Sequence, residues 1–391
     1  MRAIVLIDGE HYEPVVRDAL AAFPYEVVGA LLVGGSEKLR GGEDYGVALV
    51  ESLDAVGADL VVDLSDEPVL GPRERLLWAS RALALGLPYV GADFRFDPPP
   101  LHPVATPSIA VIGLGKRVGK TAVAGHVARL LARDRRVVVV AMGRGGPAEP
   151  ELVESPPTLD DLLELSRSGR HAASDHLEAA ALAGVPAVGC RRAGGGLAGA
   201  PFDSNVLEGA RLAAQLEPEL LVFDGSGAAL PPVDADARIL VTNGAHDVRA
   251  GLNAYRVLVS DLVVDTGGAD REAIRSISDV PVVAAELRLR PAEPLRGRRT
   301  AVFTTGPAPV EDLDAELVHV SRNLARRNAL EEELEVVDAD VYLVELKAAA
   351  VDVVAEAALE RGAEVVLAAN DVVSDELDER VQALVPERSR T

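Results

Sequence analysis

Cysteine is nearly missing from this chain: Cys190 is the only one in 391 residues, so no disulfide can close within it. No apolar run approaches the roughly 20 residues that span a bilayer, because charges, glycine or proline interrupt each one, which argues against membrane insertion. The opening stretch Met1–Glu10 enters a strand-like pattern without a signal-peptide pattern, so a cytoplasmic location is expected. Positive charge is scarce too. With 39 Lys and Arg against 62 Asp and Glu the net charge is -23, and neither nucleic acid nor an anionic membrane is an expected partner. An anionic ligand must instead be held by local groups of cations and backbone N–H. Lysine is scarcest of the charged residues, with four positions, Lys38, Lys116, Lys120 and Lys347, in a chain whose default cation is arginine. Two of the four fall within one glycine-rich loop.

The length calls for more than one core, since single cores seldom grow past about 250–300 residues. Short apolar runs alternate with helical patterns over residues 1–97, which reads as a small α/β domain. Residues 98–107 include Pro98, Pro99, Pro100, Pro103 and Pro107, and such a stretch holds neither a helix nor an inner strand, so it marks a linker. From Ser108 to residue 298, strands alternate with helices in the manner of a mostly parallel sheet covered on both faces. Residues 299–391 repeat that grammar, with a helix expected from Lys347 to Glu360, either as a separate lobe or as a continuation of the same sheet. The fold class expected is α/β, a P-loop sheet preceded by a small α/β domain. There is no internal repeat or low-complexity tract.

The run Gly113-Leu-Gly-Lys-Arg-Val-Gly-Lys-Thr121 links a strand pattern to a helix pattern. A chain that turns this way presents free first-turn N–H groups and the positive end of a helix dipole to one point, where phosphate binds. Gly115, Arg117, Val118, Gly119, Lys120 and Thr121 would cradle ATP, with Lys120 on the β- and γ-phosphates and the Thr121 hydroxyl on Mg²⁺. The first glycine of the usual pattern would fall on Leu114; the six-residue step from Gly113 to Gly119 resembles that of dethiobiotin synthetase and the cobyrinate amidases. Lys116 and Arg117 at the loop tip either touch a phosphoryl group or are solvated. Leu220-Leu-Val-Phe223 ends in Asp224, the expected second Mg²⁺ partner, and the strand Arg238–Thr242 ends in Asn243, a place where such folds read adenine.

Two further loops gather arginine among glycines, Gly143-Arg144-Gly145-Gly146 and Cys190-Arg191-Arg192-Ala193-Gly194-Gly195-Gly196. Adjacent extended residues point to opposite faces, so one of Arg191 and Arg192 should meet the ligand, with Gly194 and Gly195 beside it. Asn205 and Glu208 read as a capping box that starts another helix near this loop. Arg288, Arg290, Arg296, Arg298 and Arg299 form either a positive patch or a set of ion pairs. Asp8, Glu10, His11, Asp63 and Asp66 lie at strand ends of the first domain, where they hold a metal or cap turns.

With these pieces in place the chain resembles the cyclic 2,3-diphosphoglycerate synthetase family, on Gly115–Thr121, Met142–Pro147, Gly189–Arg192 with Gly194–Gly199, Ser204–Gly209, Asp224–Gly227 and Glu345-Leu-Lys347. The resemblance implies ATP-dependent closure of 2,3-diphosphoglycerate to its cyclic anhydride, with ADP and phosphate released. It implies that Lys120, Lys116 and Mg²⁺ stabilise the transferring phosphoryl group while Arg144 and Arg191 or Arg192 clamp the acceptor. A homodimer is the expected assembly. Rival readings are a carboxylate ligase of the dethiobiotin synthetase type, a phosphoglycerate kinase-like phosphotransferase and a non-enzymatic nucleotide switch. The switches usually carry their extra lysine where this chain has Gly115, and no amphipathic membrane helix is evident in residues 381–391.

Overall fold

Strands buried on both faces read as unbroken apolar runs, and three such runs, Ser108–Gly113, Val137–Gly143 and Leu220–Asp224, form the middle of the largest sheet. A computed structural model describes residues 1–306 and 309–385, so the end of the 381–391 stretch lies outside the described residues. The described chain divides into two units.

The first unit comprises residues 1–100 with 247–259 and 270–280. Its strands are β1 (Arg2–Ile7), β2 (Glu26–Leu32), β3 (Leu60–Asp63), β4 (Tyr89–Val90) and β5 (Arg95–Phe96), ordered β2-β1-β3-β4-β5 and parallel except for β5. Helices α1 (Glu13–Ala21) and α2 (Pro72–Ala84) each carry proline in the first turn, where its missing N–H has no intrahelical partner to lose. Val16 and Leu20 of α1 share a core with Ala3, Val5 and Leu60. The helix Asn253–Leu258 packs on α2, although it comes much later in the sequence.

The second unit holds the rest of the described chain. It contains β6 (His102–Pro103), β7 (Ser108–Gly113), β8 (Val137–Gly143), β9 (Glu151–Val153), β10 (Ala187–Ala193), β11 (Asp203–Ser204), β12 (Leu220–Asp224), β13 (Val233–Asp234), β14 (Ala237–Thr242), β15 (Leu262–Asp265) and β16 (Val282–Ala284). The parallel order is β10-β8-β12-β7-β14-β15-β16; β9 and β11 pair antiparallel with β10, and β6 pairs with β13. Side-chain alternation sorts the two faces. Val137, Val139 and Ala141 of β8 face α3 (Lys120–Leu131), whereas Val140, Val188 and Cys190 face Gly209 in the helix Val206–Ala214. Each such valine, fully buried, contributes roughly 1.5–3 kcal/mol.

A second sheet follows: β17 (Glu286–Pro291), β18 (Arg299–Phe303), β19 (Glu316–Ser321), β20 (Val341–Glu345) and β21 (Glu364–Val373), in the order β17-β21-β20-β18-β19. All pairs are parallel except β17 with β21. The segment after residue 299 therefore builds a sheet of its own within the same unit, and β17, which precedes that residue, joins it. The helix expected from Lys347 differs at its start: a π-helical turn, Ala350–Ala355, leads into the α-helix Glu356–Glu360. Leu377 and Val381 of the last described helix pack into the core of α3. Four of the five arginines of the run are in ion pairs, Arg288 with Glu286, Arg290 with Asp371, Arg298 with Glu364 and Arg299 with Asp338.

Candidate active site

The carboxyl ends of the parallel strands bring the loops together, as the topology requires. After β7 the chain takes positive φ at Arg117 (61°) and Gly119 (85°) before α3 begins at Lys120. Glycine adopts that conformation freely, whereas for Arg117 it costs of order 1–3 kcal/mol, a strain that clusters at functional sites. Neighbouring strand ends brace the loop. The Asn243 side-chain amide donates to the Arg117 carbonyl at 3.1 Å, and the Thr266 hydroxyl donates to the Val118 carbonyl at 2.8 Å. A Cβ on Gly119 would stand 2.9 Å from Leu287 Cδ1, and one on Gly115 would strike the His246 ring.

Lys120 is buried and ion-paired with Asp224, the last residue of β12. Burial raises the Asp224 carboxyl above the usual carboxylate range, and the Lys120 ammonium opposes that shift. Beside this pair opens a cavity of about 540 Å³. Lys116, Thr121, Arg144 and Asn243 line it from the P-loop sheet, and Glu345, Lys347 and Asn370 from the second sheet. Asp175 also lines it, and Glu178, one helical turn on, pairs with Lys347 at 3.4 Å.

The arginine loops converge on Gly227, just past Asp224. Gly227 has φ of 60°, and a Cβ there would stand 3.0 Å from Arg144 Nη2, 3.8 Å from Lys116 Cγ and 4.0 Å from Arg192 Nη2. Arg192 reaches this point because its guanidinium donates to the Ser226 carbonyl at 2.9 Å and to the Gly194 carbonyl. Burial lowers the Arg192 pKa, and the charge of Arg144 lowers it further. Among the described residues no ion pair joins Lys116, Arg144 or Arg192 to a carboxylate. Three cations with no internal counter-charge concentrate positive charge at one point, which a bound anion would offset.

Neither arginine lines the cavity itself; Arg191 is exposed, whereas Arg192 is turned toward the cavity-lining residues Ser226 and Gly227. The Gly194 carbonyl holds Arg192, Gly195 leaves room beside its guanidinium, and neither glycine lines the cavity. The capping box expected at Asn205 is absent. Asn205 Oδ1 accepts from the Arg191 backbone N–H at 2.7 Å and its amide donates to the carbonyls of Pro147 and Ala148, so the side chain is already used in tying β10 to the Arg144 loop.

The carboxylates of the first unit cap turns. Asp8 accepts from the backbone N–H groups of Glu10 and Asp66 and from His11, while Asp63 accepts from Ser65 and the Tyr89 hydroxyl. Among the described residues no group of three or more His, Cys, Asp or Glu is arranged to hold a metal. A Mg²⁺ bound through phosphate needs fewer protein ligands, one or two oxygens with the rest from phosphate and water, and the hydroxyl of Thr121 and the buried carboxylate of Asp224 fit that donor set. Among the described residues no helix is long and apolar enough to cross a membrane.

Comparison with known proteins covers nearly the whole chain. Residues 2–97, 108–283 and 291–371 match the N-terminal, P-loop and C-terminal domains described for cyclic 2,3-diphosphoglycerate synthetase. A cyclic 2,3-diphosphoglycerate synthetase from Rubrobacter xylanophilus is 48% identical over 97% of this chain and 96% of its own length. The chain belongs to the cyclic 2,3-diphosphoglycerate synthetase family. Another member, from Thermococcus gammatolerans, is 43% identical over 95% of this chain and 93% of its own length. Among solved structures, LpxK from Aquifex aeolicus in complex with ATP is 16% identical with a TM-score of 0.44, covering 73% of this chain and 90% of that one.

Family membership makes the chain an enzyme with a nucleotide-binding P-loop domain. The cavity is also lined by Asp175, Asn370 and the β17 start at Glu286 and Leu287, none of which the sequence singles out. Asp175 follows Ser174 as an ordinary helix start does and reaches the cavity because its helix packs on β8 and β10, whereas Asn370 sits inside β21 and is brought there by the second sheet.

Proposed function

We propose that this enzyme uses ATP to close 2,3-diphosphoglycerate into its cyclic anhydride, releasing ADP and phosphate. The observation that carries this reading is the uncompensated trio around the cavity-lining Gly227, in which Lys116 and Arg144 line the cavity and Arg192 stands behind it, beside the Lys120–Asp224 pair. A dethiobiotin-type acceptor presents a neutral or singly charged group and needs no such cluster. An acceptor with two phosphates does.

Lys120 moves from Asp224 to the β,γ-phosphates when nucleotide binds, and the loop N–H groups orient the γ-phosphoryl in line with the acceptor. Arg144 and Arg192 hold the acceptor phosphates and offset their mutual repulsion. A phosphate oxygen of the acceptor attacks the γ-phosphorus, the bond to ADP breaks, and the acceptor carries a diphosphate. An oxygen of the neighbouring phosphate then attacks the inner phosphorus of that diphosphate. The anhydride closes, and inorganic phosphate leaves. Mg²⁺, bound through Thr121, Asp224 and phosphate oxygens, would supply charge neutralisation to the transferring group. Asn243, whose amide braces the phosphate loop at the Arg117 carbonyl, meets the nucleotide from the end of β14.

Incubation with ATP, Mg²⁺ and 2,3-diphosphoglycerate, followed by phosphorus NMR, tests the reading. ADP and phosphate should appear in equal amounts while two phosphomonoester signals give way to coupled anhydride signals. Monoesters without free phosphate would mean simple kinase chemistry, and ATP hydrolysis indifferent to any acceptor would mean a nucleotide switch.

A further inference from the structure

We propose that Lys347 is an acceptor-phosphate ligand of the cavity, supplied by the second sheet and held by Glu178 until the acceptor arrives. The proposal rests on the acceptor reading given under Proposed function and assigns that site an opposite wall.

Three of the chain's four lysines, Lys116, Lys120 and Lys347, line one cavity, in a protein that otherwise uses arginine almost throughout. Lys347 follows the end of β20, so it enters from the sheet that faces the phosphate loop. Its surroundings are built around it. Ala348, the next residue, has φ of 49°, and the π-helical turn Ala350–Ala355 begins two residues later. Glu178, its partner, is itself followed directly by a π-helical turn, Ala179–Ala183. A non-glycine residue at positive φ and π-turns both mark backbone bent to place a side chain, at a cost the fold must offset elsewhere.

The Lys347–Glu178 pair is poorly made for a structural tie. Its separation is 3.4 Å, and the second carboxylate oxygen of Glu178, though buried, has no hydrogen-bond partner among the described residues. Burial pushes the Glu178 carboxyl up to about 7, and Lys347 opposes the shift. Burial alone would lower the Lys347 ammonium, but the charges of Glu178, Glu345 and Asp175 outweigh it and raise its pKa, so the side chain is cationic whenever the cavity is empty of anions. Glu345, by contrast, is fully engaged. The Thr305 backbone N–H donates to it at 2.6 Å, the Thr305 hydroxyl at 3.0 Å, and the Asn370 amide also donates. Lys347 thus has one neighbouring carboxylate committed to other donors and one loosely held partner that it can leave. Lys347 lines the same cavity as Lys120, and its charge also lowers the Asp224 carboxyl that pairs with Lys120.

The test compares the wild type with Glu178→Gln, Lys347→Met and the double variant that carries both. The double variant removes the pair without leaving one buried charge alone, so its fold is preserved if the single change Lys347→Met proves unstable. Binding of 2,3-diphosphoglycerate, and separately of inorganic pyrophosphate, is measured by calorimetry with the P-loop saturated by a non-hydrolysable ATP analogue and Mg²⁺. Lys347→Met and the double variant should weaken both anions at least tenfold with the nucleotide affinity unchanged. Glu178→Gln should tighten them, because Lys347 no longer has a partner to leave. Unchanged anion affinity in the folded double variant overturns the proposal, as does weaker binding in Glu178→Gln. If the wild type binds pyrophosphate but neither binds nor turns over 2,3-diphosphoglycerate, the acceptor reading fails, while the same variants still decide Lys347 through pyrophosphate.

Discussion

Gly227→Ala separates the acceptor site from the nucleotide site with a single methyl group. At φ of 60° an alanine pays roughly 1–2 kcal/mol for the left-handed conformation, which in a chain of this size lowers the melting temperature by only a few degrees. The larger effect is steric and local. The new Cβ would stand 3.0 Å from Arg144 Nη2, tighter than ordinary van der Waals contact, with Lys116 and Arg192 within 4.0 Å. Arg144 must swing away from the point where the three cations meet. Losing one charge-assisted contact to phosphate costs about 1.5–3 kcal/mol, which corresponds to an acceptor KM raised roughly 10- to 150-fold. The nucleotide loop is met only at Lys116 Cγ, at an ordinary contact distance of 3.8 Å, so ATP affinity, followed with a fluorescent analogue, should stay within about twofold. Steady-state kinetics with each substrate varied in turn reads both numbers. An acceptor KM that does not move in a folded Gly227→Ala protein would refute the assignment of the cation trio to the acceptor, and a shift in ATP affinity alone would give that trio to the nucleotide.

Other outcomes follow from the same geometry. Lys120→Ala and Asp224→Asn should each lower turnover at least about a hundredfold with circular dichroism unchanged, since the buried pair stands where phosphate and Mg²⁺ are handled. Cys190 is buried and its thiol is pushed up to about 12 by burial, so a disulfide reagent at pH 8 should label it only as fast as the protein unfolds; rapid labelling of the native protein would contradict the packing. Gly209→Ala would place a Cβ 2.2 Å from Cys190 Sγ and should destabilise by about 1–3 kcal/mol in denaturant titration, an effect that Cys190→Ala in the same chain should largely relieve. At Asp8 burial raises the carboxyl, but hydrogen bonds from Asp66, His11 and Glu10 outweigh it and hold the pKa below the usual value. Its contribution is present above the unfolded-state pKa of 3.8 and lost as pH falls through the lower folded value. Asp8→Asn should therefore flatten the acid limb of stability, measured by melts between pH 5 and 2, roughly the range over which a depressed Asp titrates.

The parts of the site that sequence made legible are those written in consecutive residues. A strand, a glycine turn and Lys120-Thr121 define a phosphate loop wherever they occur, and Asp224 and Arg144 stand directly at or after the ends of apolar runs. What could not be read depends on chain segments meeting from afar. Asn205 has the composition of a helix cap, but its oxygen is taken by the Arg191 backbone, a partner visible only once β10 and β11 pair. The same pairing turns Arg192 and not Arg191 toward Ser226. Thr266 and Leu287 brace the loop from strands more than a hundred residues downstream, and a threonine or leucine at a strand end carries no signal of that duty.

β16 ends at Ala284 and β17 begins at Glu286, so a single residue joins the two sheets of the second unit. That residue, Ala285, is buried, and its N–H donates to the Asp265 carbonyl at 2.8 Å. A joint this short has no slack. The lobes cannot be exchanged between relatives by cutting at this point, because any graft would leave the core residue Ala285 and the Leu287 buttress of Gly119 to different parents. For the same reason a gene fragment stopping at residue 283 would encode a phosphate loop without its brace. Chimeras meant to alter acceptor choice are better made by replacing β18 through β21 while keeping β17 with the loop it supports.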